Sequence, residues 1–449
     1  MKPQRYIKLS QTDLIFHSMA EVFPSISMLV TLRFKTFQPE EDIRNAMRYM
    51  LTIYPKLRSI MVPTLFSYKL KVFDDTDRQL ETLFDQVFRV MRHLDPDSED
   101  YLEMRRQIFN EPLGLTQGLP IRIRYLAYGD MPVLLISIHH LISDGIGFMH
   151  MIESLMAYLN GKRPPLNPVD NRSIWPFLLK KPYYRLPLEL YKSFRKFRMI
   201  EKKLRDNRIV NISSRQVNYF GTSNIKQHLS VHPLKTVLQK SKMLNVSLTT
   251  FIMTALVCTI AKKYNQKEDG NTISILTAIG LRQLFETNPP VFGNYVKANL
   301  INIDKNLWDN KKSILKEIKY QLNDRIMEVK NKEFMYSWLR ERLGLLIGKK
   351  NIVRGIVNAK REGKLEFSCQ LSTGGNIDKI NSHGDKAQVI ELIDAVPHHK
   401  IFTTLTSLNG RINMNFSYPE ADFTRKEIKD FIASFDAELG MLLELDVSS

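Results

Sequence analysis

The stretch that most constrains this chain is V-L-L-I-S-I-H-H-L-I-S-D-G-I-G, Val133–Gly147. Val133 to Ile138 is short, apolar and rich in branched side chains, and Asp130 and Pro132 bound it, so it reads as a buried strand. It ends in His139 and His140. After Gly145 a helix is expected, with Phe148, Met151, Ile152, Leu155 and Leu159 along one stripe. A strand that ends in polar residues just before a helix offers them to a crevice on a rigid scaffold.

Neighbouring strand residues point to opposite faces, so His139 and His140 are expected to differ in role, which disfavours a two-histidine metal site. One should turn inward and satisfy its ring nitrogens there. The other can project into a crevice, where an imidazole with a near-neutral pKa suits a general base. Asp144 can pair with an arginine or cap the following helix. Gly145 permits unusual backbone angles or close approach of a substrate. The chain contains no G-x-S-x-G elbow, H-E-x-x-H, C-x-x-C, Walker loop or G-x-G-x-x-G fingerprint. From these residues alone, a packed pair of histidines and a catalytic one both remain open.

A chain of 449 residues implies at least two domains. The two cysteines, Cys258 and Cys369, lie far apart, form no metal or redox spacing, and point to a reducing compartment. The first thirteen residues hold no apolar core of a signal peptide. The run 246–261 is short for a membrane span and reads as a buried core helix. A cytoplasmic protein is expected, with peripheral membrane contact as an option. The net charge of +18 suits an anionic cofactor, a membrane surface or nucleic acid, but zinc-finger spacing, RNP motifs and Arg-rich arms are absent, so nucleic acid is not expected.

The first half reads as a strand over Met28–Phe34, a helix over Pro39–Leu51, a hairpin over Ser59–Lys71, helix through most of 75–110, and a strand over Pro120–Tyr128 before the histidine strand. Residues 162–172 read as linker. Residues 173–208 interleave aromatics such as Trp175, Tyr184, Tyr191, Phe194 and Phe197 with Lys180, Lys192, Arg195 and Arg198. That pattern fits either a connector packed on one lobe or a helix lying on an anionic membrane. The second half is expected to hold strands at Ile225–Val231, Thr272–Ala278 and Glu366–Leu371, helices at 232–242, 247–264, Lys311–Lys330 and Phe423–Leu443, and a hairpin turning at Asn409–Gly410. Strands and helices mix in both halves, which indicates an α/β or α+β protein.

His139–Gly145, H-H-L-I-S-D-G, resembles the H-H-x-x-x-D-G motif of the condensation-domain, chloramphenicol acetyltransferase-like acyltransferase superfamily. L-S-Q-T-D at 9–13, Y-P-K-L-R at 54–58 and 112–126 resemble segments that precede that motif. Gly280-Leu281-Arg282, G-N-Y-V at 293–296 and L-S-T-G-G-N-I at 371–377 resemble segments that follow it. The last two look nearest to the alcohol acetyltransferase and wax ester synthase/diacylglycerol acyltransferase branches. The D-F-G-W-G motif of plant BAHD enzymes is absent, and Thr373 stands where asparagine is commoner.

The resemblance implies two chloramphenicol acetyltransferase-like lobes in a V with an active-site tunnel between them: an N-terminal lobe 1–172, a connector 173–214 and a C-terminal lobe 215–449. It implies His140 as general base, His139 as structural, Asp144 paired with Arg282, and Gly145 for clearance. Ser372, Thr373, Gly374 and Asn294 become candidates for oxyanion or substrate contact. No metal and no permanently bound cofactor are implied. The co-substrate would be an acyl thioester, either acyl-CoA or an acyl-carrier protein, and the acceptor a hydroxyl. Alternatives are amide formation by the same histidine, or a non-catalytic, membrane-associated binding protein that keeps the fold.

Overall fold

Val133–His139 forms the expected strand, and all seven residues are buried. The computed structural model describes residues 5–20, 22, 25–65, 67–167, 174, 178, 183–205, 207–212, 223–264, 270–284, 290–346, 348–361, 367–398 and 400–446. In chain order the first half holds β1 (Arg5–Lys8), α1 (Gln11–Met19), β2 (Ser27–Phe34), α2 (Glu40–Ile53), β3 (Ser59–Pro63), β4 (Tyr68–Val72), α3 (Arg78–Val87), β5 (Phe88–Met91), α4 (Glu99–Asn110), β6 (Ile121–Leu126), β7 (Val133–His139) and α5 (Gly145–Leu159). A helix, α6 (Leu186–Arg205), leads to β8 (Ser223–Leu229), α7 (Leu234–Met243), α8 (Leu248–Tyr264), β9 (Thr272–Gly280) and β10 (Val296–Asp304). The chain then runs through α9 (Lys311–Lys330), α10 (Met335–Leu346), α11 (Lys349–Arg361), β11 (Cys369–Asn376), β12 (Val389–Ala395), β13 (Phe402–Leu408), β14 (Arg411–Pro419) and α12 (Arg425–Leu443).

The apolar run of β7 is continuous because both faces of the strand are covered. It is the middle strand of a five-stranded sheet ordered β12-β2-β7-β6-β5. Leu134, Ile136 and Ile138 enter the larger core, with Met47 of α2 and Met151 and Leu155 of α5. Val133 and Leu135 enter a smaller core on the opposite face, with Tyr101 and Phe109 of α4. A second, six-stranded sheet is ordered β10-β9-β11-β13-β14-β8. Its core contains Phe251 and Leu256 of α8, Ile275 of β9, Phe416 of β14 and Phe435 of α12. Thr250 to Ala261 of α8 are buried against α9 and α12, so this apolar run is a core helix. No single helix among the described residues is long and apolar enough to cross a membrane.

Sheet membership departs from the expected boundaries at one place. β12 comes from the 215–449 segment but pairs antiparallel with β2, Asp394 opposite Val30, and so completes the N-terminal sheet. Its outer edge is not left open. Thr404 Oγ1 of β13 donates to the Asp394 carbonyl at 2.8 Å, and Asn413 Nδ2 of β14 donates to the Leu392 carbonyl. Side chains of one sheet thus satisfy the edge of the other, which avoids an exposed strand edge.

Local expectations fail in four places. Helix was expected through most of 75–110, yet Phe88–Met91 is a strand that pairs parallel with β6. Pairing to the sheet edge there outweighs helical periodicity. No element was expected before Met28, yet β1 and α1 form there, α1 fixed by a capping box in which Ser10 and Asp13 bond each other's backbone N–H. The strand expected over Glu366–Leu371 has its first residue outside the described ones, and β11 continues through S-T-G-G to Asn376. A register shift between Thr373 and Gly375 lets the glycines remain in the sheet, with Gly375 at φ +73°. No element was expected over 331–365, where α10 and α11 lie.

The segment 173–208 is a helix over its described second part; residues 173, 175–177, 179–182 and 206, with Trp175 and Lys180, lie outside the described residues. α6 packs on α10: Phe194 and Phe197 meet the Tyr336 ring, Arg340 lies 4.6 Å over Phe197, and the Tyr336 N–H donates to Ser193 Oγ.

Candidate active site

His140 lies one residue beyond the end of β7. Its backbone N–H donates to the Ile26 carbonyl at 2.9 Å, which holds the chain against the end of β2. The Phe16 ring of α1 stacks on the imidazole, with centroids 3.8 Å apart and planes within 19°. Nδ1 lies 3.2 Å from Asn294 Oδ1.

Asn294 decides the tautomer. Its other amide atom sits 2.7 Å from the His140 carbonyl, 2.9 Å from the Leu141 carbonyl and 2.9 Å from Asp13 Oδ1. All three are acceptors, so that atom is the NH2 group and the atom facing the imidazole is the oxygen. An oxygen facing Nδ1 requires a proton on Nδ1. The basic lone pair of His140 is therefore on Nε2. Burial pushes the His140 pKa below its ordinary value, against the partial opposition of its own backbone, the Asp144 charge and Asn294. The ring is thereby neutral at neutral pH.

Asp13 is 1% exposed, and its second oxygen bonds the Ser10 N–H and lies 3.5 Å from Lys56 Nζ. A chain of contacts runs Lys56–Asp13–Asn294–His140. Its members come from L-S-Q-T-D, Y-P-K-L-R and G-N-Y-V, segments as far as 281 residues apart. Asn294 was expected as an oxyanion or substrate contact. At 3% exposed, with both ends of its amide engaged, it cannot take that place and instead orients the imidazole. Asp13 and Lys56 were not singled out from the sequence as site residues. The signal available was that each lies within a segment of the family resemblance.

His139 faces the opposite way and is buried. Its Nδ1 accepts the Leu141 N–H at 3.0 Å, and burial pushes its pKa down to about 3.

Asp144 is fully engaged. Oδ1 caps α5 by accepting the Gly147 N–H at 2.9 Å. Oδ2 accepts from Arg282 Nη1 at 2.8 Å and from the Tyr295 N–H at 2.8 Å. Arg282 also donates to the Gly293 carbonyl at 2.8 Å and the Val291 carbonyl at 3.2 Å, and its guanidinium lies over the Tyr295 ring. Both the helix cap and the arginine pairing anticipated for Asp144 are present at once. With three hydrogen bonds, the carboxylate ties 139–147 to 280–295.

The glycine that the protein itself requires is Gly147. A Cβ there would lie 2.2 Å from Ser143 Oγ and 3.0 Å from Arg282 Nη2. At Gly145 a Cβ meets nothing within 4 Å, and the residue lines a cavity, so any clearance it provides is towards that cavity.

The cavity has a volume of about 590 Å³ and lies where the two sheets meet. His140, Gly145 and Phe16 line it from the N-terminal half. Leu276 and Ala278 of β9, Ser372, Thr373 and Gly374 of β11 and Thr404 of β13 line it from the other. Phe197 and Ile200 of α6 and Trp338 of α10 cover it. One end carries charge: Lys297 lies 3.2 Å from Glu328, Arg325 3.2 Å from Glu328, and Lys196 3.0 Å from Asp324 and 3.2 Å from Glu333. Both cysteines are buried, and burial pushes each thiol up to about 12, which leaves neither as a nucleophile. Among the described residues no group of three or more His, Cys, Asp or Glu could hold a metal ion.

Comparison of this structure with solved ones finds the same fold. The TRI3 trichothecene 15-O-acetyltransferase from Fusarium sporotrichioides matches with a TM-score of 0.71, 12% sequence identity, 98% of this chain and 95% of that one. The first condensation domain of the CDA synthetase matches with a TM-score of 0.68, 10% identity, 99% of this chain and 98% of that one. The starter condensation domain of rhizomide synthetase, in complex with C8-CoA and Leu-SNAC, matches with a TM-score of 0.68, 12% identity, 99% of this chain and 95% of that one. The chain has the fold of the condensation-domain and chloramphenicol acetyltransferase-like acyltransferases. No family model matches the sequence, and a search of curated proteins found no match to it. The five-stranded and six-stranded sheets are the cores of the two lobes, and the cavity lies between them.

The crowding at Gly147 separates it from Gly145. Gly147→Ala is expected to lower unfolding free energy by about 1–3 kcal/mol through overpacking. Gly145→Ala should stay within about 1 kcal/mol of wild type, as its added methyl meets no protein atom. Denaturant titration of both variants checks this; equal losses would contradict the packing described.

Proposed function

We propose that this protein transfers an acyl group from an acyl thioester to a hydroxyl acceptor in the cavity. The observation that carries the reading is the fixed tautomer of His140: Asn294 holds a proton on Nδ1, leaving Nε2 as a base in a residue that lines the cavity. Nε2 takes the hydroxyl proton as the oxygen attacks the thioester carbon. Collapse of the tetrahedral oxyanion breaks the carbon–sulfur bond, and the imidazolium returns its proton to the leaving thiolate. No covalent enzyme intermediate is needed. The proposed donors to the oxyanion are Ser372, Thr373 and Gly374 of β11, which line the same cavity as His140. The donor is acyl-CoA or an acyl-carrier protein; the starter condensation domain of similar fold is in complex with C8-CoA, which supports the first. An amine acceptor could use the same imidazole, and a panel of alcohols and amines with one acyl-CoA separates the two outcomes.

His140→Ala should lower kcat/KM by about 10²- to 10⁴-fold, the usual contribution of a general base, with far-UV circular dichroism unchanged. The pH profile carries the sign of the burial effect. A base whose pKa is lowered stays unprotonated below the ordinary histidine value of about 6.5, so the plateau of kcat/KM should extend below that pH before it falls. Turnover retained by the alanine variant, or an acid limb at or above 6.5, would contradict the assignment.

The outer face of α6 supports a peripheral membrane location for this activity. Leu188, Tyr191 and Met199 are exposed there beside the exposed Lys192, Arg195, Arg198 and Lys202. The full chain should float with phosphatidylglycerol vesicles at low salt and less with phosphatidylcholine alone, and the triple change Lys192→Glu, Arg195→Glu, Arg198→Glu should abolish the difference. Flotation that ignores lipid charge would count against this placement.

A further inference from the structure

The acids and cations around the cavity do not balance. Lys297 and Arg325 are both paired with Glu328, and Lys196 is paired with Glu333 and with Asp324 nearby. Asp144 is paired with Arg282. Two lining carboxyls, Asp394 and Glu341, have no ion-pair partner among the described residues, and Glu341 Oε2 accepts a hydrogen bond from Gln11 Nε2 at 3.0 Å. Asp394 has less. Its Oδ1 is sealed from solvent and has no hydrogen-bond partner. The nearby Thr404 hydroxyl spends its proton on the Asp394 backbone carbonyl.

The position of Asp394 is specific. It sits on β12, the strand that joins the N-terminal sheet while its outer edge is bonded by β13 and β14, opposite Val30 of β2. Val30, Thr404 and Asp394 all line the cavity. The carboxyl is thus built into the seam between lobes, on the wall of the chamber that holds His140. Burial pushes its pKa up to about 6, with its own backbone amide and Thr404 opposing in part. Above that pH it is an anion in a partly apolar wall with no ion-pair partner among the described residues. Such a charge is costly unless something neutralises it.

We propose that Asp394 is an acceptor-specificity residue, and that the acceptor carries a cationic nitrogen, an ammonium group distinct from its reacting hydroxyl, which pairs with this carboxylate. The inference deepens the acyl-transfer reading by naming a substrate class. The same imbalance disfavours acceptors that bring a second carboxylate into the cavity.

The test is a binding measurement that needs no turnover, so its outcome is separate from that of the acyl-transfer assay. Trp338 lines the cavity and gives a fluorescence signal. Three probes of equal chain length, n-octylammonium, n-octanol and n-octanoate, are titrated at pH 7.5 into wild type, Asp394→Asn and Glu341→Gln. Wild type should bind octylammonium at least tenfold more tightly than octanol, and octanoate most weakly. Asp394→Asn should bring octylammonium to within threefold of octanol, while Glu341→Gln should keep the wild-type preference. Absence of a preference in wild type overturns the proposal. So does a preference that survives in Asp394→Asn, or one that is lost in Glu341→Gln instead. Should the asparagine variant not fold, wild type at pH 5 replaces it: protonation of Asp394 should shrink the octylammonium preference, and a preference unchanged at pH 5 overturns the proposal.

Discussion

The site depends on one buried carboxylate that accepts three hydrogen bonds. Asp144 caps the helix after the histidines, and the same side chain binds Arg282 and the Tyr295 N–H. Segments about 140 residues apart are thereby held in one register. A buried ion pair of this kind contributes little net stability, because desolvation offsets most of the attraction. Its effect is positional: with Oδ2 shared between a guanidinium and a backbone amide, the loop before β10 has one docked arrangement, and that arrangement puts Asn294 against His140.

The imidazole is then specified by its neighbours. Phe16 fixes the plane of the ring, and Asn294 fixes which nitrogen carries the proton. Asn294 itself is held by two carbonyls and by Asp13, whose charge is answered by Lys56. The imidazole is oriented before any ligand arrives, as positioned groups must be if they are to lower a barrier. The chamber around it is apolar in part and charged at one end, which gives a ligand a direction.

How much of this was legible from sequence varies with the range of the interaction. β7 was legible because a run buried on both faces has no polar alternation, and the β13–β14 hairpin because Asn409–Gly410 dictates the turn. The split between His139 and His140 followed from strand geometry alone. The pairing of Asp144 with Arg282 came from family resemblance, since no local rule links positions 138 residues apart. The orienting role of Asn294, the Asp13–Lys56 pair and the crowding at Gly147 rest on tertiary contacts that no local pattern encodes. The same holds for β12: a strand of the second half completes the first sheet because β2 offers an unpaired edge, and edge pairing is a three-dimensional demand. Phe88–Met91 escaped for that reason too.

The central claim is that His140 is held as the Nδ1-protonated tautomer with a basic Nε2. Long-range ¹⁵N–¹H correlation spectra of histidine-labelled protein at neutral pH test it, with His140→Gln to assign the signal. The account predicts a protonated, pyrrole-type shift at Nδ1 and an unprotonated, pyridine-type shift at Nε2. The reverse pattern, or the averaged shifts of a ring exchanging between tautomers, would contradict it.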